Sequence, residues 1–234
     1  MRVRVGTSGY SYKEWKGTFY PQDLPASEML RYYGERHDTV EINNTFYRMP
    51  TTKLLEGWVE QVPREFSFVL KAPRRITHQK KLADAGEETG LLLRSAAAMG
   101  DKLGPFLFQL PPWLKKDATL LKSFLDLLPG GTRAAFEFRN STWFDDETYD
   151  VLRSHGAALA VSDTDEDGEP RIVATAGYGY LRLRRTAYDE TLLRAWAERV
   201  AAQAWSEAYV FFKHEDEGEG PRLASSFRAL LTSR

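Results

Sequence analysis

Ala134-Ala135-Phe136-Glu137-Phe138-Arg139 reads as a β-strand with two unlike faces. Successive side chains of a strand point to opposite sides, so Phe136 and Phe138 share one face while Glu137 and Arg139 share the other. The same alternation recurs along the chain. Val40 and Ile42 set Glu41 and Asn43 opposite them, Phe68 and Leu70 set Lys71, and Phe106 and Phe108 set Gln109. Leu181 and Leu183 do the same for Arg182 and Arg184, and Val210 and Phe212 for Lys213, although the opposite phase there would favour His214. In a barrel wrapped by helices the apolar face meets the helices. The polar residues then point inward, most of them at the carboxyl-terminal end of their strand.

Outward from these segments, β-rich runs fall at residues 3–7, 39–43, 66–71, 105–109, 134–139, 157–162, 180–184 and 209–213. Between them, helical spacing of apolar residues covers 27–36, 53–61, 87–99, 119–128, 145–155, 189–205 and 222–231. The stretch 163–179 shows no helical spacing. Strands alternating with helices imply parallel pairing. Eight such units in 234 residues, close to the roughly 250 usual for the architecture, predict an α/β chain closed as a (β/α)8 TIM barrel. The expected layout is a single domain over residues 1–234 with an irregular connection between strands six and seven. A doubly wound open sheet is the structural alternative.

Composition narrows the function. With 42% hydrophobic and 13% aromatic residues the chain is not intrinsically disordered. It has no cysteine, which removes disulfides, thiolate metal sites and cysteine nucleophiles. A net charge of −1 argues against a broad nucleic-acid footprint, which is built on phosphate neutralisation. No apolar run reaches the roughly 18 residues of a membrane span. Met1-Arg2-Val3-Arg4-Val5 lacks the apolar stretch of a signal peptide, so the expected location is cytoplasmic. Oligomeric state is not legible.

A barrel built for stability alone would fill its interior with branched apolar side chains. The bland account of the inward charges is a self-satisfying network of Glu41, Glu137, Arg139, Arg182 and Lys71 that caps the core. The charge balance says more. Lys71, Arg139, Arg182, Arg184 and Lys213 outnumber Glu41, Glu137 and Asp163 in a chain that is nearly neutral overall. A concave, low-dielectric mouth focuses that excess, which points to an anionic ligand: a phosphate or carboxylate compound, or a nucleic-acid fragment. Loops on the same side carry Tyr10, Trp15, Tyr47, Trp113 and Trp143 together with Arg74, Arg75, His78, Lys80 and Lys81. Aromatic faces among cations suit stacking beside a phosphate, and small loop cores are the competing account. Residues 214–221, four of them acidic, offer glycines and a proline before the last helix, a weak anion signal.

Several strings in order resemble the domain-of-unknown-function 72 family (YecE-like). They are Gly6-Thr7-Ser8-Gly9-Tyr10, Trp15-Lys16-Gly17 with Phe19-Tyr20-Pro21, and Val40-Glu41-Ile42-Asn43 with Thr45-Phe46-Tyr47. Lys71-Ala72-Pro73 with Ile76-Thr77-His78, Gln109-Leu110-Pro111-Pro112, and Glu137-Phe138-Arg139 with Ser141 and Trp143 complete the set. The resemblance spans essentially the whole chain and implies a TIM barrel, with no established reaction. A likeness of such barrels to endonuclease IV and xylose isomerase implies metal-dependent or DNA-directed roles. Two departures stand out. A common His-Gly after strand seven is Arg184-Arg185 here, and a common Asn pair after strand eight is Lys213-His214. Both make the mouth more basic.

The expected function is an enzyme, hydrolase or phosphodiesterase-like, cleaving an anionic, phosphorylated or nucleic-acid-derived substrate at the carboxyl-terminal mouth. Glu137 is the expected general acid or base. Lys71, Arg139 and Arg182 would stabilise negative charge, and His78 would deliver a proton. Glu41, Asn43 and Gln109 would orient the substrate within a rim completed by Tyr10, Tyr47, Trp143, Asp163 and Lys213. Two alternatives stand beside this. Lys71 could form a Schiff base as in a lyase or aldolase. A non-catalytic module could instead bind nucleotides or single strands by stacking on Tyr10, Trp15, Tyr47 and Trp143. His78 and His214 with Glu41, Glu137 and Asp163 are thin for a zinc cluster. No constitutive metal is favoured, Mg2+ or Mn2+ on oxygen ligands stays open, and the sequence leaves the cofactor otherwise unknown.

Overall fold

The computed structural model describes residues 1–166 and 168–232. Its strands are β1 (Arg2–Ser8), β2 (Thr39–Ile42), β3 (Ser67–Lys71), β4 (Leu103–Gln109), β5 (Ala134–Glu137), β6 (Ala158–Asp163), β7 (Tyr178–Leu183) and β8 (Glu207–Phe212). They pair in sequence order, all parallel, and β8 returns to β1 to close the barrel. Closure removes the open-sheet alternative. The helices are α1 (Met29–Gly34), α2 (Asn44–Tyr47), α3 (Thr52–Val59), α4 (Gly86–Ala96), α5 (Ala118–Leu125), α6 (Asp146–Ser154), α7 (Glu190–Ala201) and α8 (Glu219–Thr232). The chain thus has the expected (β/α)8 architecture. No helix among the described residues is long and apolar enough to cross a membrane.

Strand alternation divides the apolar residues as expected. Phe68, Leu70, Phe106, Phe108, Phe136 and Phe138 pack toward the helices. Val69, Leu107, Ala135, Ala160, Tyr180 and Phe211 fill the lumen. Several helices start on a side-chain cap: Thr51, Asp117, Asp145 and Asp189 each accept a hydrogen bond from a backbone N–H two positions inside the first turn.

Element ends differ from the sequence expectation for local reasons. α4 stops at Ala96, short of the expected residue 99, and the chain continues in a tighter turn over Ala97–Lys102 that is kinked at Gly100, whose φ is 50°. α7 ends at Ala201 rather than near residue 205, because Trp205 leaves the helix to cover β7. α8 begins earlier than expected and takes Pro221 into its first turn, where a missing N–H costs nothing. The elements that were not expected include the short α2 and a single wide turn over Arg75–Gln79 that carries His78.

The connection between β6 and β7 has no helix among its described residues, as expected; residue 167 within it, like residues 233 and 234 of the expected domain, lies outside them. Side-chain bonds hold it instead. The Thr175 hydroxyl accepts from Leu159 N–H at 2.8 Å and donates to the Ala157 carbonyl at 2.8 Å. Farther along, Arg199 of α7 pairs with Glu169 at 3.0 Å and donates to the Pro170 carbonyl. These bonds anchor the described part of the connection at Glu169, Pro170 and Thr175.

Gly179 shows how tightly the outer shell fits. A Cβ placed there would lie 2.3 Å from the Trp205 ring. Gly179→Ala is expected to lower stability by about 1–3 kcal/mol through overpacking. A urea unfolding midpoint unchanged from the parent chain would show that Trp205 yields freely.

Candidate functional site

Three buried charges meet at the carboxyl-terminal end of the lumen: Glu41 from β2, Glu137 from β5 and Arg182 from β7, each 2% exposed or less. Arg182 Nη2 donates to Glu41 Oε1 at 2.8 Å, and Arg182 Nη1 donates to Glu137 Oε2 at 2.5 Å. The Tyr180 hydroxyl donates to the other Glu41 oxygen at 2.6 Å. The remaining Glu137 oxygen accepts from Gln109 Nε2 at 2.7 Å and Arg139 Nε at 3.0 Å, with Arg184 Nη1 3.6 Å away. Every carboxylate oxygen of the cluster is engaged.

Burial alone would push both carboxyls up, but the surrounding charges win. Arg182 and the Tyr180 hydroxyl hold Glu41 below the usual carboxylate range. Arg182, Arg139 and Arg184 hold Glu137 far below it. Burial would lower the Arg182 guanidinium, and Glu137 and Glu41 outweigh that and raise it. The cluster is locked in its ionised form.

Lys71, the last residue of β3, stands apart. Its Nζ lies 4.3 Å from the centre of the Phe46 ring, a cation–π distance. No hydrogen-bond or ion-pair acceptor meets it among the described residues. Burial and repulsion from Arg182, only partly opposed by Glu41 and Glu137, push its pKa down to about 8. His78 packs edge-on against Phe46, with ring centres 4.9 Å apart, and approaches Trp113 at 6.1 Å. Burial, then Lys71 and Arg139, lower its pKa.

Beside this ring opens a cleft of about 960 Å³. One side is formed by Glu137 and Arg139 at the end of β5 and Arg184 beyond β7, and the other by the β6–β7 connection. Burial and the neighbouring Arg182 lower the pKa of Arg184. Tyr10 and Asn43 line a separate, much smaller cleft of about 80 Å³.

The structure thus brings Glu41, Lys71, Gln109, Glu137, Arg139 and Arg182 together. Other residues expected at the mouth stand elsewhere. Asp163 faces outward to α7, where it accepts from Trp196 Nε1 at 3.0 Å, the Tyr188 hydroxyl at 2.9 Å and Arg185 Nε at 2.7 Å. The phase of β6 puts Ala158 and Ala160 in the lumen and so turns Asp163 away. β8 has the expected phase, but Lys213 lies past its last residue, exposed, 3.8 Å from Glu215. Trp143 is buried; it stacks on Phe138 at 4.6 Å and donates to the Leu114 carbonyl at 2.8 Å, so it holds a loop and offers no open face. Trp15 is buried likewise and donates to the Glu215 carbonyl. Asn43 leaves the strand, since β2 ends at Ile42, and its helical backbone leads into α2. Tyr10 is largely buried, its ring 6.3 Å from Tyr33. Tyr47 is 74% exposed and meets Phe46 edge-on at 5.1 Å.

Trp113, 64% exposed, is the rim residue the sequence reading left out of its site. Its signal was Pro111-Pro112 directly before it, which ends the strand and carries the ring outward. Of the other histidines, His37 is buried among aromatic rings, His155 contacts Asp126, and His214 contacts the Arg185 carbonyl. Among the described residues no three of His, Cys, Asp or Glu converge as a metal-binding group.

The family described as "Protein of unknown function DUF72" matches residues 4–234. The chain is 24% identical over 234 residues to UPF0759 protein YunF of Bacillus subtilis, covering 92% of this chain and 79% of that one. It is 29% identical over 116 residues to UPF0759 protein YecE of Escherichia coli K12, covering 49% of this chain and 43% of that one. Among solved structures, a DUF72 family protein from Thermotoga maritima is similar with a TM-score of 0.88 at 29% identity, covering 99% of this chain and 100% of that one. A DUF72 family protein from Enterococcus faecalis shares the fold, with a TM-score of 0.82 at 19% identity and coverage of 98% and 95%.

Removing Arg182 would leave two buried carboxylates without their shared partner. Arg182→Met is expected to cost about 3–5 kcal/mol at neutral pH. In the parent chain both carboxyls titrate lower when folded than when unfolded. The unfolded state therefore takes up protons first, and stability present at pH 7 is lost as pH falls through the ordinary carboxylate range. In the variant, protonation relieves the repulsion, so the gap between the two chains should narrow on acidification. Urea midpoints at pH 7 and pH 4 check this; a constant gap would mean that the carboxylates are not what Arg182 serves.

Proposed function

The chain belongs to the DUF72 family, and from the chemistry of its barrel mouth we propose that it is an enzyme acting on an anionic small molecule that carries a phosphate or carboxylate. One observation carries this reading. Lys71, Arg139, Arg182 and Arg184 gather where, among the described residues, Glu41 and Glu137 are the carboxylates that oppose them, and Arg182 already occupies both. Lys213 and Asp163 fall out of the cluster together, so the positive excess survives their loss. The guanidinium N–H groups of Arg139 and Arg184 that do not face Glu137 have no protein acceptor among the described residues, and both side chains line the cleft. Its volume of about 960 Å³ suits a metabolite or a nucleotide-sized fragment. A long polymer would meet a chain of net charge −1 with little attraction outside the mouth.

The roles within the site follow from protonation. Hydrolytic cleavage with Glu137 as acid or base would need a carboxyl near its working pH. Its pKa is held far too low for a donor, and both its oxygens already accept from neighbouring side chains. Glu137 is better placed as the positioning residue that aims Arg139 and Arg184. Lys71 and His78, both with lowered pKa values, are the better candidates for moving protons. Tyr47 and Trp113 favour a ligand with a planar part, since each exposes an aromatic ring beside Phe46 or His78.

Binding of a panel of phosphorylated, carboxylated and neutral metabolites, followed by calorimetry, tests the reading. Anionic compounds should bind in preference and more weakly as salt rises. Arg184→Gln should weaken them by roughly tenfold or more, the size of a lost charge-assisted hydrogen bond. Preference for neutral compounds, or indifference to the loss of Arg184, would remove the proposal.

A further inference from the structure

We propose that Lys71 is a covalent site whose amine adds to the carbonyl carbon of an anionic aldehyde or ketone held by Arg139 and Arg184, forming a Schiff base. The proposal rests on the anion-binding reading above and names the substrate class: an oxoacid or a phosphorylated carbonyl compound. Three other half-buried lysines have acceptors. Lys102 donates to the Val59 and Val62 carbonyls, Lys80 pairs with Glu88, and Lys116 pairs with Asp145 and Glu147. Lys71 has none among the described residues, although two carboxylates stand close enough to influence its charge. Arg182 has taken both. The Phe46 ring supports the side chain without accepting a proton or a classical hydrogen bond from it.

An amine in that position is a usable nucleophile. With its pKa near 8, a substantial fraction is uncharged at neutral to mildly alkaline pH, unlike a surface lysine near 10.4. It also stands at the carboxyl end of β3, on the face where barrel enzymes do chemistry.

The step balances without a further reactant. The Nζ lone pair forms the new C–N bond as the carbonyl π pair moves to oxygen. That oxygen takes up one proton to give the carbinolamine; a second proton lets it leave as water while nitrogen gives up one of its own. In sum, one amine, one carbonyl and one proton become one iminium and one water. His78, packed against the same Phe46 ring, is suited to exchange these protons with solvent. The iminium keeps the positive charge that the ammonium carried, so the grip of Arg139 and Arg184 on the anionic group persists through the step.

Borohydride trapping of the full chain decides the matter, with glyoxylate as the charged aldehyde and glyceraldehyde as the neutral one. Intact mass and peptide mapping give the position of each adduct. Glyoxylate should label Lys71 several-fold faster than any other lysine, at a rate that rises with pH and levels off near pH 8. Labelling spread evenly over exposed lysines, or an unchanged total in Lys71→Gln and Lys71→Arg, would overturn the covalent site. If Lys71 fails to label while carboxylates and phosphates still bind calorimetrically, the covalent site alone falls. If glyceraldehyde labels Lys71 as fast as glyoxylate does, in the parent chain and in Arg184→Gln alike, Lys71 is upheld and the anion-binding premise falls.

Discussion

The Arg182 guanidinium spans the lumen between β2 and β5, and the chemistry of the mouth follows from that bridge. A buried guanidinium needs two acceptors to offset its desolvation, and a buried carboxylate needs donors for both oxygens. Glu41 and Glu137 meet the first need; Tyr180, Gln109 and Arg139 complete the second. Once the bridge is formed, every carboxylate oxygen already has a donor, and none of them bonds Lys71 among the described residues. Lys71 is left unmatched because Arg182 takes up both carboxylates.

The opposite end of the lumen gives a contrast. Glu207 there accepts from Arg4 at 2.5 Å, Arg133 at 2.6 Å and the Tyr209 hydroxyl at 3.0 Å. That cluster also joins several strands, yet its cations, Arg4 and Arg133, bond backbone carbonyls as well: those of Asp38, Glu65 and Leu103. It therefore reads as a seal. Both ends are closed by ionic clusters around the aromatic filling of Tyr178, Tyr180, Tyr209 and Phe211. Cations outnumber carboxylates in both clusters; what sets the carboxyl-terminal one apart is that two of its cations, Arg139 and Arg184, line an open cleft instead of bonding backbone carbonyls among the described residues.

Strand periodicity carried most of what could be read from the sequence. It located Glu41, Lys71, Gln109, Glu137, Arg139 and Arg182 because each follows large apolar neighbours whose outward direction is unambiguous. It failed at Asp163 because Ala158-Leu159-Ala160-Val161 is apolar at every position, and alternation cannot assign a phase there. The assignment depends on size: the lumen beside Tyr178 and Tyr180 admits alanine, so Leu159 and Val161 turn outward and Asp163 with them. Ring direction was equally hidden for the loop aromatics. Trp143 and Trp15 each find a backbone carbonyl for the indole N–H and a partner ring for the face, whereas Trp113 keeps an exposed ring. Nothing in residue type separates these outcomes, because they depend on which loop folds over which.

The division of labour between strands has a further consequence. Arg139 and Arg184 extend from the ends of β5 and β7, while Lys71 ends β3, and the Arg182 bridge lies among them. A group held by the two outer guanidiniums and a carbon reached by the amine must therefore belong to different parts of one ligand. A bare phosphate or a one-carbon acid would satisfy the cations and leave the amine idle. Molecules that carry an anionic group and an electrophilic carbon on separate atoms, glyoxylate being among the smallest, combine the two functions. The rim formed by Tyr47, Phe46, His78 and Trp113 then has room to select among them by the shape of what remains.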